Sequence, residues 1–281
     1  MPRTVKVNGG TRAPHNGRVP AALHAQRGAS GGRKLVPAKR KGARLLAKSL
    51  FSDREFRSLT AGVAKALKND IVRGAYLPEA KLRIAELAAF YGVSPGAVRE
   101  ALSRLASEGL VEFNEQRGFR AARVSEADLT DITKTRVLVE CEALRVAMRN
   151  ASPAWERNII DSVRRLNRAP LFKPGADVVD GDWALLHRDF HRVLLAPCGS
   201  EWLLRFQNTL FEQTERYRAL EGLTRKKPQR NHRDVAGEHL SIARAVVAGN
   251  VRLATTLLER HYMRTVDVLL KNRSVLSDGA G

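Results

Sequence analysis

The chain has 281 residues, 43% of them hydrophobic, and it carries a formal net charge of +20 at pH 7. This length accommodates two domains, and so large a cationic excess favours a nucleic-acid partner. Its two cysteines, Cys141 and Cys198, lack Cys-x-x-Cys spacing, and there is neither a signal-peptide pattern nor an apolar run long enough to span a membrane. These features exclude a disulfide-stabilised secreted protein and a membrane protein, and a cytoplasmic location with no membrane partner is expected.

The positive charge is concentrated at the N-terminus. Residues 1–52 contain twelve Lys or Arg and no Asp or Glu. Their Gly, Pro, Ala and Arg content, without a periodic apolar pattern, predicts a disordered basic tail. Such a tail can hold DNA phosphates without reading bases, but a GC-rich coding region or a misplaced start codon gives the same residues, and both interpretations stay open.

Residues 55–124 predict a winged helix-turn-helix that binds DNA. Ser94 is a good N-cap, and Pro95 suits the first position of the helix that follows it. The apolar residues of this helix recur at i, i+4 and i+7 and should face a core: Val98, Leu102 and Leu105. The opposite face carries two small residues and one arginine, which suits the major groove of DNA: Gly96, Ser103 and Arg99.

Two helices are predicted before this one and a wing after it. An apolar stripe ends at Gly74, and a short helix ends at Gly92. After the third helix, residues 109–113 and 119–124 read as two strands joined by a polar turn. Arg117 and Gly118 lie at this turn. The candidate DNA-contacting residues are therefore Ser94, Gly96, Arg99, Ser103, Arg117 and Gly118.

This segment resembles the N-terminal domain of the GntR family of bacterial transcription regulators. The motifs that carry the resemblance are Ile71-Val72-Arg73-Gly74, Glu86-Leu87-Ala88, Val93-Ser94, Val98-Arg99-Glu100-Ala101-Leu102 and Glu108-Gly109-Leu110-Val111. It implies base contacts at Ser94, at Arg99 and in the wing. Two positions depart from the family pattern: Glu79 replaces a usual glycine, and Pro95 replaces an arginine that reads bases in many members.

Residues 125–272 predict an all-α bundle. Ser125-Glu126-Ala127-Asp128 reads as a capping box for a helix that runs to about Asn150, with Leu129, Ile132, Val139, Ala143 and Val146 facing inward. Breakers separate later helices near 153–168, 181–196, 200–219, 231–248 and 251–271. Residues 273–281 are expected to form a flexible C-terminus. The predicted fold class is mainly α: a winged helix-turn-helix followed by a helical bundle.

Four histidines fall within the apolar stripes of these helices: His187, His191, His239 and His261. His187 and His191 are spaced i, i+4, so they can direct two ring nitrogens at one ion, and two further helices each bring one imidazole. Each of four inward histidines would otherwise need its own buried partner. The pattern favours a site for a divalent metal ion, zinc or another transition metal, over four structural histidines.

This second segment resembles the FCD ligand-binding domain of the FadR subfamily of GntR regulators. The recognisable pieces are Arg136-Val137-Leu138-Val139-Glu140, Asp189-Phe190-His191, Glu238-His239-Leu240-Ser241-Ile242 and Arg260-His261. The resemblance implies three metal-binding histidines at 191, 239 and 261, and His187 stands where the family has Asp or Asn. The pattern is most similar to the carbon-starvation-induced branch, which implies a small dicarboxylate effector such as glutarate.

The charge of the predicted metal site also argues for an anionic effector. Four neutral imidazoles leave a divalent charge uncompensated, which favours a carboxylate. Arg136 lies within an apolar stripe and could hold a second carboxylate, although an i, i+4 ion pair with Glu140 explains it nearly as well. Arg216 and Arg218 are weaker candidates that a solvated helix face accounts for.

The sequence therefore predicts a homodimeric, ligand-responsive repressor that binds an inverted-repeat operator in double-stranded DNA, and not an enzyme. Two alternative functions fit parts of the sequence. A metal-dependent hydrolase would need Glu238 as a general base, but this residue points about a quarter turn away from its neighbour His239. A nonspecific nucleic-acid-binding protein built on the basic tail would not need a second domain with a buried polar site.

Overall fold

Three helices and a small sheet form the first part of the described chain. The structure, a computed structural model, describes residues 59–172, 179–224 and 233–271. Helix α1 spans Leu59–Val72, α2 spans Ile84–Tyr91 and α3 spans Pro95–Ser107; strands β1 and β2 span Val111–Asn114 and Gly118–Ala121. The predicted tail at 1–52 and the predicted C-terminus at 273–281 lie outside the described residues.

The turn between α2 and α3 is set by local backbone chemistry. Gly92 ends α2 with φ at 67°, and its N–H donates to the carbonyl oxygen of Ala88. This left-handed conformation favours glycine. Ser94 then caps α3, since its Oγ accepts from the N–H of Ala97 at 3.2 Å, and Pro95 occupies the first turn. As predicted, Val98, Leu102 and Leu105 are buried, so α3 packs on α1 through one apolar face.

The sheet has an additional short segment that the sequence did not predict. β1 and β2 pair antiparallel, with Phe113 opposite Phe119. Residues 79–82 lie beside β2 and add hydrogen bonds from the N–H of Glu79 to the oxygen of Ala121 and from the N–H of Leu82 to the oxygen of Phe119. Glu79 has φ at 62°, so the position where the family usually has glycine does require the left-handed region.

Six helices make up the second part of the described chain, in agreement with the mainly α fold predicted. They are α4 (Glu126–Arg149), α5 (Pro153–Arg168), α6 (Gly181–Leu195), α7 (Glu201–Thr224), α8 (Val235–Val247) and α9 (Val251–Lys271), with a 3-10 turn at Ala196–Cys198. The helix predicted at 200–219 extends to Thr224. α4 packs against α7 and α9, and α5 packs against α6 and α8, around a shared apolar core.

The inner face of α4 differs from the predicted stripe. Leu129 and Ala143 are buried as expected, but Ile132, Val139 and Val146 are only partly buried. The buried positions between them hold polar side chains instead: Thr133, Arg136 and Glu140. A pattern built from apolar residues alone misses this face, because its middle is polar. That polar middle faces the site described below.

The start of α4 also differs in detail from the predicted capping box. Ser125 Oγ accepts from the N–H of Asp128 at 3.1 Å, as expected. The reciprocal bond of a capping box, from the N–H of Ser125 to the Asp128 carboxylate, is absent in the described structure. The Asp128 carboxylate instead accepts from the hydroxyl of Tyr217, and the N–H of Ser125 donates to the same hydroxyl oxygen. Tyr217 therefore ties α7 to the first turn of α4.

None of the helices described here is long and apolar enough to cross a membrane.

Candidate functional site

The exposed face of α3 carries the residues predicted to contact DNA. Gly96, Arg99 and Ser103 are all exposed, on the side opposite the buried face. Ser94 is also exposed, with its hydroxyl accepting the capping bond. Because the small residues leave the Arg99 side chain accessible, this face can approach a base edge or a phosphate. The DNA contacts themselves stay a prediction.

The wing turn presents Arg117 and an aromatic ring. Asn114 Oδ1 accepts from the N–H of Gln116 and from the N–H of Arg117, at 3.0 and 3.1 Å, which fixes the turn. Arg117 is exposed, and Gly118 follows it with φ at 70°. Phe113 is 54% exposed, and sequence reasoning did not single it out.

The four predicted histidines meet in the helical bundle. His187 and His191 come from α6, His239 from α8 and His261 from α9, and all four are buried. One ligand atom from each ring lies within 4.8 Å of those of the others. Ligands of one tetrahedral zinc ion, at Zn–N distances of about 2.0–2.1 Å, lie about 3.3–3.4 Å apart, so small side-chain adjustments suffice. We call these residues the histidine cluster.

Two outer hydrogen bonds orient rings of the histidine cluster. His261 Nδ1 lies 2.8 Å from Glu238 Oε2, and His191 Nδ1 lies 2.9 Å from the hydroxyl of Tyr262. With protons on these Nδ1 atoms, each Nε2 keeps a free lone pair; that of His191 lies 3.1 Å from His187 Nε2, on the inner side of the cluster. Glu238 and Tyr262 were not among the predicted site residues, because no pattern in the sequence links them to a histidine on another helix.

His239 lies in the cluster without hydrogen bonds. It is 1% exposed, and within the described ranges neither of its ring nitrogens has a hydrogen-bond partner; the same holds for His261 Nε2. Burial, together with the nearby cations Arg218 and Arg233, lowers the pKa of His239 to about 3. A buried polar atom without a partner is costly. Neutral imidazoles with free lone pairs are what a divalent metal requires, so the residues fit a metal ion.

An aromatic ring and an ion pair border His187. The Trp183 ring stacks on the His187 ring, with centroids 4.6 Å apart and planes inclined by 12°. Arg218 Nη1 lies 3.3 Å from His187 Nδ1 and 2.9 Å from Glu215 Oε1. The interpretation of Arg218 as part of a solvated face is therefore wrong, since its side chain is only 14% exposed and borders the cluster.

Arg136 lies beside the histidine cluster with a partly unused guanidinium. It is 1% exposed, and its Nε donates to Glu140 Oε1 at 2.5 Å, so the predicted i, i+4 ion pair exists. Its Nη1 and Nη2 atoms have no hydrogen-bond partner in the part of the chain that the structure describes. The guanidinium carbon lies 4.1 Å from the centre of the Tyr262 ring and 4.9 Å from that of Phe211. The ion pair therefore leaves two nitrogen atoms of the guanidinium free to donate hydrogen bonds to an anion.

Arg216 lies outside the cluster, although it too is buried. It is 2% exposed, and its Nη2 donates to the carbonyl oxygen of Ala122, in the segment between β2 and α4. The solvated-face interpretation is wrong here as well. Arg216 and Arg218 are two residues apart on α7, so they point in different directions: one to the first part of the chain and the other to the cluster.

Comparisons with known families match both parts of the chain. Residues 59–120 match the family described as bacterial regulatory proteins, gntR family, and residues 131–264 match the FCD domain. The histidine cluster and Arg136 lie within the second match, and α3 lies within the first.

Relatives and solved structures agree with these matches. The HTH-type transcriptional regulator BphR of Paraburkholderia xenovorans (strain LB400) is 36% identical over 220 residues, which cover 76% of this chain and 86% of that protein. The HTH-type transcriptional repressor GlaR of Escherichia coli (strain K12) is 31% identical over 203 residues, covering 72% and 92%. The solved structure of E. coli McbR/YncC has a TM-score of 0.65 at 22% identity, covers 77% and 99%, and shares the fold.

Proposed function

The chain belongs to the gntR family of bacterial regulatory proteins and carries an FCD domain, and from this premise we propose that it is a metal-dependent repressor released by a small dicarboxylate such as glutarate. The observation that carries this proposal is the histidine cluster next to the two unpaired nitrogens of Arg136. The repressor role is supported by the likeness to GlaR, which is named a transcriptional repressor.

The charge balance of the site supports a dianionic effector. Each of the three arginines whose charge acts on the cluster histidines has a carboxylate partner: Arg136 pairs with Glu140, Arg218 with Glu215, and Arg233 with Glu238. The histidines are neutral, because burial lowers the pKa of each. His187, His191, His239 and His261 would hold a divalent ion, which would supply two uncompensated positive charges and Lewis acidity. A ligand with two carboxylates matches both charges.

Arg136 is suited to hold the second carboxylate. A guanidinium binds a carboxylate through two parallel N–H donors, and Nη1 and Nη2 are the donors left over from the ion pair with Glu140. The rings of Tyr262 and Phe211 cover the guanidinium, which keeps it in place and reduces its contact with water. Arg136 therefore selects for length, since the second carboxylate must reach it from the cluster.

DNA binding is assigned to α3 and the wing. Ser94, Gly96, Arg99 and Ser103 would face the major groove, with Arg117 and Gly118 beside them in the wing. A homodimer presents two such faces, so the operator should be an inverted repeat. A regulator of this kind acts in the cytoplasm, where the DNA of a bacterium lies.

The hydrolase alternative is disfavoured by the surroundings of Glu238. Its carboxylate is bonded to His261 Nδ1, and Arg233 and Arg264 lie within 2.6 and 3.0 Å. Although burial acts to raise it, hydrogen bonds from Arg233 lower the pKa of Glu238 below its ordinary value. A carboxylate stabilised in this way is a weak general base. A protein that only bound nucleic acids nonspecifically would not need the histidine cluster.

Thermal unfolding with glutarate tests the proposal. Glutarate should raise the melting temperature of zinc-loaded wild-type protein, and valerate, with one carboxylate, should raise it less. Arg136→Ala should keep the zinc but lose most of the response, because the arginine binds the effector and not the ion. The matched control is Arg145→Ala, an exposed arginine of the same helix, which should respond as the wild type does. A protein stripped of metal that still responds fully to glutarate contradicts the proposal.

A further inference from the structure

Helix α7 has two polar faces that look in different directions. Phe211, Glu215 and Arg218 are spaced i, i+4 and i+7, so they share one face. Glu212, Gln213 and Arg216 lie 100–200° around the helix, by the roughly 100° that separates successive residues. The first face borders the histidine cluster and the second contacts the winged domain. One helix therefore contacts both the histidine cluster and the winged domain.

The inner face of α7 lies against the effector site. Arg218 is within 3.3 Å of His187 Nδ1, and Phe211 covers the guanidinium of Arg136 at 4.9 Å. The rings of Phe211 and His187 have centroids 5.7 Å apart. A ligand that moves Arg136 or the histidines must therefore press on this face, because close-packed side chains transmit displacements.

The outer face of α7 holds the winged domain by three polar contacts. Gln213 Nε2 donates to the carbonyl oxygen of Glu108, the residue that follows α3, at 2.8 Å. Arg216 donates to the carbonyl oxygen of Ala122, after β2. Glu212 Oε2 lies 2.6 Å from Lys68 Nζ on α1. The three bonds reach α1, the end of α3 and the end of the sheet, so they fix the orientation of the whole domain.

Glu212 belongs to a continuous chain of ion pairs between the two domains. The members, in order from the effector domain to the DNA-contacting helix, are Arg188, Glu212, Lys68, Glu108 and Arg104. The successive distances are 2.7, 2.6, 2.8 and 3.4 Å. Arg188 directly follows His187 in the sequence, and Arg104 lies on α3. We call this the ion-pair chain.

The ion-pair chain borders open space. Its members line a cavity of about 540 Å³, together with Lys65. Glu212 and Lys68 are 12% and 23% exposed, so solvent screens their attraction only partly. Although burial acts to lower it, hydrogen bonds with Glu108 and Glu212 raise the pKa of Lys68. The cavity therefore leaves room for these charged side chains to exchange partners.

We propose that Glu212, which joins Arg188 to Lys68, is the positioning residue that couples the effector domain to the winged domain. This rests on the proposed function, since it assumes an effector at the histidine cluster. In this proposal an effector that displaces His187 also displaces the adjacent Arg188, so Glu212 changes its contact with Lys68 and the winged domain changes its position relative to α7.

The test compares the full-length wild type with Glu212→Gln on an operator selected from random DNA with the wild-type protein. In zinc-loaded wild type, glutarate should weaken operator binding by about 5–150-fold, the usual range of coupling between sites. In Glu212→Gln the change should fall below about 3-fold, while glutarate affinity by calorimetry and zinc content stay at wild-type values. Lys68→Met should lose the response as Glu212→Gln does, whereas Lys68→Arg, which keeps the charge, should retain it.

Glu201→Gln is the matched control, because Glu201 is an exposed carboxylate at the other end of α7 and should leave the response intact. A full response in Glu212→Gln and in Lys68→Met overturns the coupling through this chain. If glutarate does not bind the wild type, the proposed effector is wrong, and the coupling is then tested with zinc as the only ligand. Operator affinity should then differ between zinc-loaded and EDTA-treated wild type but not in Glu212→Gln; no difference in the wild type also overturns it.

Discussion

In the winged domain, the side chains proposed to contact DNA lie outside an apolar core, whereas in the helical domain the proposed ligands lie within the core itself. Val63, Leu67 and Val98 are fully buried and Arg99 is exposed. In the other domain His187, His191 and Arg136 are as deeply buried as the leucines around them. In the winged domain, different residues therefore provide stability and the proposed DNA contacts. In the helical domain, the same buried residues serve both stability and the proposed ligand binding.

This difference determines what a substitution does. Changing an exposed DNA-contacting residue should alter affinity and leave the fold intact, because exposed side chains contribute little to stability. Changing a buried charged residue in the helical domain should alter both, because it leaves a partner unpaired in the core. The predictions below test this contrast, beginning with the largest effect.

Removal of Glu140 should destabilise the helical domain most. Glu140→Ala leaves the Arg136 guanidinium without its buried partner, which should cost about 3–5 kcal/mol in the free energy of unfolding by chemical denaturation. Glu142→Ala, two residues along the same helix, breaks only an exposed pair with Arg145 and should cost less than about 1 kcal/mol. Equal costs for the two variants would contradict this, because the buried pair would then stabilise the domain no more than the exposed pair does.

His239→Ala should remove the metal and the stability that comes with it. Wild-type protein should contain about one divalent ion per chain by elemental analysis, and the variant close to none. At zinc concentrations of about 100–1,000 times Kd, ligation stabilises the wild type by about 2.7–4.1 kcal/mol. EDTA should bring the melting temperature of the wild type close to that of the variant. A gap that EDTA leaves unchanged returns His239 to a purely structural role.

Arg99→Ala should weaken specific operator binding without affecting folding. The loss should be about 1–3 kcal/mol, measured by gel-shift titration, because a guanidinium that contacts a guanine contributes about this much discrimination. The melting temperature should stay at the wild-type value. Arg157→Ala, an exposed arginine of α5, is the control and should bind operator normally. Unchanged operator affinity in Arg99→Ala would mean that the DNA-contacting face is assigned to the wrong residues.

Glu79→Gly should have the smallest effect, and the opposite sign from most substitutions. At φ of 62° a side chain costs about 1–2 kcal/mol, while glycine adds about 0.5–1 kcal/mol of entropy to the unfolded chain. The ion pair of Glu79 with Arg123 is exposed and contributes little. The variant should therefore be neutral or more stable by up to about 1 kcal/mol, by thermal unfolding. A clear loss of stability contradicts the account of this turn.

The same contrast explains which parts of the molecule the sequence could predict. Helix α3 follows from Ser94, Pro95 and an apolar repeat, because caps and periodicity are local signals. The histidine cluster could be predicted as well, since each histidine lies in an apolar stripe. Glu140 as a buried anion, Glu238 as a partner of His261 and residues 79–82 beside β2 depend on which segments meet in space. No local pattern carries that information.

Because the ring of Trp183 stacks on that of His187, the fluorescence of Trp183 can report which ion the histidine cluster binds. Indole emission is quenched by nearby ions with partly filled d shells, such as Co²⁺, Ni²⁺ or Cu²⁺, whereas Zn²⁺ has a filled shell and quenches weakly. Trp202, by contrast, is 65% exposed and should emit at longer wavelength. Trp155 is as buried as Trp183, so a Trp155→Phe variant leaves Trp183 as the source of the short-wavelength emission. Titrating single ions into this variant after metal removal therefore separates zinc from its competitors without a label.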